Sequence, residues 1–128
     1  MRRTVGKDVL YPELSYEIMQ ITFEVHNQLG PGFVESVYRE AVVYELEIRP
    51  MPFEREKTIK VVYKGRTVGV HRLDLIIDNK IILELKAVSA LNDVFKQQLL
   101  SYLKATGFHL GILINFGGKR VEALRIVK

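Results

Sequence analysis

Apolar and polar positions along the chain follow two different periods, and the switches between them mark out the elements. From Ser15 to Leu29 the residues Ile18, Ile21, Val25 and Leu29 recur at helical spacing, with Ser15 as N-cap and Gly30 as stop. Gly30-Pro31-Gly32 breaks the chain. A second helix begins at Val34 or Glu35 and runs to about Glu47, with Val34, Val37, Tyr38, Ala41 and Val42 as its buried stripe. After Pro50 and Pro52 the period falls to two: Ile59, Val61 and Tyr63 alternate with polar residues as a strand, and Lys64-Gly65-Arg66 is a turn. A further strand starts near Thr67 and runs into residues 72–77, so that 57–86 reads as a three-stranded antiparallel meander, with Gly69 marking a bulge. A third helix spans 92–106, capped by Asn92 or Ser89 and ended by Gly107. His109 to Phe116 is almost wholly apolar and fits a strand buried on both faces after a crossover helix. Gly117-Gly118 turns the chain into a last strand, Val121 to Val127. The order is α-α-β-β-β-α-β-β in a single domain, 1–128, preceded by an arm, 1–12, that shows no period and is expected to be loosely held.

Within this frame the stretch RLDLIIDNKIILELKAV, residues 72–88, carries the candidate chemistry. Alternation projects Glu84 and Lys86 to one side and Leu83 and Leu85 to the other. Asp74 joins them if Ile77 pairs with Ile81 and Asp78, Asn79 and Lys80 form the loop, with Asn79 in the left-handed position. Two carboxylates and an ammonium then converge among apolar neighbours, the outline of a divalent-metal site to which the Leu85 carbonyl would add a ligand. The plainer alternative is a solvated strand face, or a structural pairing of Glu84 and Lys86 with each other or with Arg72. The hydrophobicity of DLII and IILEL favours the site, because buried carboxylates need a partner or a metal.

Composition narrows the chemistry further. There is no cysteine, which excludes disulfides, thiolate zinc sites and a cysteine nucleophile. His26, His71 and His109 are scattered and make no helical metal pair, so a zinc enzyme is not expected; His26 reads as a capping or packing residue. The net charge of +4 permits a polyanionic partner without requiring one. No membrane-length apolar run or signal-peptide pattern is present, and the expectation is a soluble, cytoplasmic protein.

The segment GPGFVESVY places Gly32, Glu35 and Tyr38 at the spacing that names the GxxExxY proteins, small members of the PD-(D/E)XK nuclease-like superfamily, and the chain resembles them from about Leu14 onwards. The likeness continues through residues 72–88, QQLLSYLKATG and GILINFG. It implies an α/β fold of the restriction-endonuclease-like kind, a mixed β-sheet core flanked by helices. It implies that Asp74 and Glu84 bind Mg²⁺ or Mn²⁺, that Lys86 is the catalytic lysine, and that Glu35 is a helix-borne acid joining the site. Gln98 and Tyr102 resemble the Q-x-x-x-Y element that positions a nucleic acid strand. In the residues themselves, Gly32 is expected to allow close backbone approach and Tyr38 to pack beside Glu35, while Arg72, Lys96 and Lys104 are candidate phosphate contacts. The sequence departs from relatives at His71, where an aromatic such as tyrosine is expected, and at Phe95, where a histidine is. The implied activity is metal-dependent hydrolysis of nucleic acid, DNA first, with a homodimer or partner protein supplying specificity. The alternative is a non-catalytic nucleic-acid-binding or protein-interaction module on the same fold.

Overall fold

The computed structural model describes residues 10–128, so most of the expected arm, 1–9, lies outside it. Leu10 and Tyr11 are not loose: both pack against the main core, and Pro12 already opens helix α1, Pro12–Leu29. Proline suits the first helical position because its fixed φ is helical and its missing N–H has no partner there. The helix therefore starts a turn earlier than Ser15, which is buried and accepts a hydrogen bond from Arg125 Nη1 at 2.7 Å instead of capping. Gly30 ends it as expected.

Helix α2, Glu35–Ile48, buries Tyr38, Val42, Val43 and Leu46. Val34 and Val37 stay exposed, a correction to the stripe read from spacing: Val34 is the extended N-cap residue and Val37 lies in the first turn, while the face that packs begins at Tyr38. The short strand β1, Phe53–Arg55, leads into β2, Thr58–Tyr63, and β3, Arg66–Arg72. Then come β4, Leu75–Ile77, β5, Ile81–Lys86, helix α3, Asp93–Thr106, β6, Leu110–Asn115, and β7, Glu122–Val127. Asn92 caps α3, its side chain accepting from the N–H groups of Val94 and Phe95.

Five strands form a mixed sheet in the order β1-β4-β5-β6-β7, with β5 and β6 parallel and the other pairs antiparallel. One face carries α1 and α2 over Leu75, Leu83, Leu85, Ile112 and Ile114; the other carries α3 over Ile76, Ile82 and Leu113. This is the mixed α/β architecture expected, with two more strands. The expected meander is divided: β2 and β3 form a separate two-stranded ribbon. The break falls where Glu56 takes a positive φ of 56° and Leu73 and Asp74 leave the ladder, each keeping one main-chain bond to the link between β1 and β2, the Leu73 N–H to the Lys57 carbonyl and the Asp74 carbonyl to the Glu56 N–H. The ribbon does contain the expected bulge, with Val61 facing Gly69 but Val62 facing Thr67.

Candidate active site

The site is built on the β4–β5 hairpin. Ile77 pairs with Ile81 as the alternation requires, although both Asp78 and Asn79, at φ 52° and 53°, take the left-handed conformation where one was expected. The ladder stops at Leu75 opposite Leu83, and just beyond it two crossed hydrogen bonds link Asp74 to the Glu84–Leu85 segment. The Asp74 N–H donates to Glu84 Oε2 at 3.0 Å, and the Leu85 N–H donates to Asp74 Oδ2 at 2.8 Å. Each carboxylate is thus fixed by the other residue's strand, and the Leu85 main chain lies beside both.

Glu84 is only 5% exposed, and its pKa is pushed up to about 8. Burial is the main cause and the Asp74 charge the second; the Asp74 N–H and Lys86 oppose them. Glu35 opens α2 above the same edge. Its pKa is also raised, by burial first and by Asp74 second, against Lys86 and Arg39. Lys86 lies two residues beyond Glu84 at the end of β5, its Nζ 4.9 Å from the Phe95 ring centre. Phe95 thus takes up the lysine on a ring face where a histidine would have offered a polar contact.

Arg39 was not singled out by sequence. One helical turn after Glu35, it donates through Nη2 to Glu35 Oε1 at 2.8 Å, and its Nε stands 3.3 Å from Asp74 Oδ1. That Nε is buried and completes no hydrogen bond. The guanidinium bridges the helix acid to the strand acid, and the i, i+4 spacing of Glu35 and Arg39 was the available signal.

Tyr102 is buried, and its hydroxyl hydrogen-bonds His71 Nε2. Burial and the charges of Glu84 and Asp74 raise its pKa, so the phenol stays protonated. His71 therefore performs a coupling role, tying the ribbon to α3. Gln98, one turn earlier, is half-buried, and its side chain makes no hydrogen bond among the described residues. Arg72 is exposed and pairs with Glu56 at 3.4 Å, away from the carboxylates, and Lys96 pairs with Asp93. Among the described residues neither Glu84 nor Lys86 forms an ion pair with the other or with Arg72.

Tyr38 braces the loop before Glu35. Its hydroxyl donates to the Gly30 carbonyl at 2.6 Å and accepts from the Phe33 N–H at 3.2 Å. Within that loop Gly32 has open space around its Cβ position; what requires glycine is its φ of +115°, not the close approach expected. Asn115, also missed by sequence, is fully buried and holds the chain beyond Lys86. It accepts from the N–H groups of Val88 and Gly117 and donates to the Val88 carbonyl and Glu122 Oε1. Gly117 passes so close to Val88 that any Cβ would lie 2.1 Å from its carbonyl oxygen.

Comparison with known proteins accords with this geometry. Residues 12–126 match the PD-(D/E)XK nuclease superfamily, nearly the whole of the chain. The chain belongs to that superfamily. No curated protein matches it significantly. The crystal structure of SSO0001 is similar in fold, with a TM-score of 0.57 at 19% identity over 97% of this chain; the chain spans only 60% of that protein.

Nucleases of the PD-(D/E)XK superfamily generally use divalent metal ions and act on nucleic acid. Among the described residues no group of three or more His, Cys, Asp or Glu side chains could by itself hold a metal. The donors present nonetheless suit a hard cation that keeps several waters: two adjoining carboxylates of which one is buried, with a main-chain segment alongside. No described helix is long and apolar enough to cross a membrane.

Proposed function

We propose that this chain is a metal-dependent nuclease hydrolysing phosphodiester bonds of DNA, folded as one domain and using Mg²⁺ or Mn²⁺. The observation that supports this best is the crossed pairing of Asp74 with Glu84 beside Lys86 and under Glu35. Asp74 and Glu84 would hold the metal with the Leu85 carbonyl, and Glu35 would join through water. The bound ion supplies Lewis-acid polarisation of the phosphate. Lys86 orients the attacking water and offsets the negative charge that develops on phosphorus. Gln98 offers its unengaged amide to the strand, Tyr102 holds the helix face that presents it, and Arg72 and Lys104 meet phosphates outside the centre. A second copy or a partner protein supplies specificity.

The non-catalytic module has one observation in its favour: Arg39 already neutralises part of the Asp74 and Glu35 charge without metal. Cleavage separates the two. Labelled linear and circular DNA, single- and double-stranded, with RNA alongside, are incubated in Mg²⁺, Mn²⁺ or EDTA with wild type and Lys86→Ala. The nuclease reading expects metal-dependent cleavage of DNA that falls at least a hundredfold in the variant. Equal activity in both proteins, or none with any substrate, would overturn it.

A further inference from the structure

Because β5 and β6 are parallel, Lys86 sits beside Asn115, and the loop that follows Asn115 emerges on the same sheet edge as the carboxylates. That loop, with the end of α1, borders an open cavity of about 300 Å³ lined by Phe23, His26, Asn27, Lys119, Arg120 and Val121. It is distinct from the metal centre. β7 begins there, two strands from β5, and the cavity's α1 wall lies on the sheet face opposite the one that carries Glu84 and Lys86, so the two sites share only the end of the sheet.

The cavity is tied rigidly to the site. His26 Nε2 lies 2.9 Å from the Gly118 carbonyl, which only accepts, so this nitrogen carries the proton. The His26 ring stacks on Phe116, and Phe116 stacks on Tyr38 with centroids 4.7 Å apart and planes 1° from parallel. Tyr38 in turn braces the loop that delivers Glu35. An unbroken aromatic column thus runs from the cavity wall to the catalytic edge.

The lining is unspent. Lys119 and Arg120 are exposed, and among the described residues neither forms an ion pair. The nearest acids in sequence are engaged elsewhere, Glu122 by Asn115 and Glu24 by Gln28. Phe23 leaves 46% of its surface in solvent beside these two cations. An exposed ring next to unpaired cations suits a nucleotide, base on the ring and phosphate on the cations.

Resting on the nuclease reading, we propose that this cavity is a second nucleic-acid subsite that grips the substrate strand as it passes around the end of the sheet, outside the metal centre. Lys119 and Arg120 bind a phosphate and Phe23 stacks a base. The subsite holds the strand while the carboxylate edge works on it.

The test uses the full chain carrying Lys86→Ala, with Mg²⁺, and a labelled single-stranded DNA oligonucleotide followed by fluorescence anisotropy over a series of NaCl concentrations. Lys119→Ala and Arg120→Ala are each expected to weaken binding about tenfold and to reduce the slope of log affinity against log salt by about one. Phe23→Ala is expected to weaken binding severalfold with the slope unchanged. Lys128→Ala removes a cation at the opposite end of β7 and is expected to change neither. If the parent binds but the Lys119 and Arg120 variants bind as well as it does, or no worse than Lys128→Ala, the subsite is overturned and the nuclease reading stands. A parent that binds no nucleic acid overturns both.

Discussion

Glu84 is a carboxylate held where a carboxylate is costly. Its pKa of about 8 lies well above the unfolded value, so the folded metal-free protein binds a proton more tightly than the unfolded chain does. The stability this gives is complete below about pH 4.5 and is lost as pH rises through about 8. Melts in EDTA should therefore fall by several degrees between pH 5.5 and pH 8.5. In Glu84→Gln that decline should largely vanish, leaving a variant more stable than wild type at the alkaline end, on the order of a few kcal/mol. A parallel decline in both proteins would show that Glu84 carries no such burden. The sequence made this residue legible because alternation and register are local rules: Ile77 opposite Ile81 was enough to bring Asp74 to Glu84. Arg39 and Asn115 were not legible in the same way. Their roles rest on contacts with Asp74 and Val88, far along the chain and on other elements, which no spacing rule predicts.

At the scale of elements, the edge is held by the junction between β6 and the chain leaving β5. Asn115 satisfies two main-chain donors and one acceptor there, and Gly117 makes room for the same segment. Replacing Asn115 by alanine would strand those groups in the interior. The expected cost is about 2–4 kcal/mol, read as a lower urea midpoint with unchanged slope, and cleavage should fall further than stability because Lys86 lies two residues before Val88. A midpoint within error of wild type would show that water replaces the amide. This junction looked like an ordinary glycine turn in the sequence. The division of the meander was hidden for a related reason. Residues 67–77 read as one strand, whereas the chain leaves the ladder at Leu73 and Asp74, where the Asp74 carboxylate is bonded to Leu85 instead of facing solvent. The site itself interrupts the regular structure that sequence patterns describe.

For the molecule as a whole, the mixed sheet gathers at one edge the ends of β5 and β6, the start of β4 and the start of α2. Each brings one component: Glu84 and Lys86, the Asn115 brace, Asp74, and Glu35 with Arg39. The fold was largely readable from the sequence because hydrophobic period and chain order define an α/β sheet; the clustering of charge at one edge follows from its topology. The account depends on that edge being a metal centre. The direct measurement is calorimetric titration of Mn²⁺ into the metal-free protein and into Asp74→Asn and Glu84→Gln, each checked to be folded. Wild type should bind with proton release that grows as pH falls from 8 towards 6, because Glu84 must give up its proton, and each variant should lose at least tenfold in affinity. Binding that is absent from wild type, or equal in all three proteins, would contradict it.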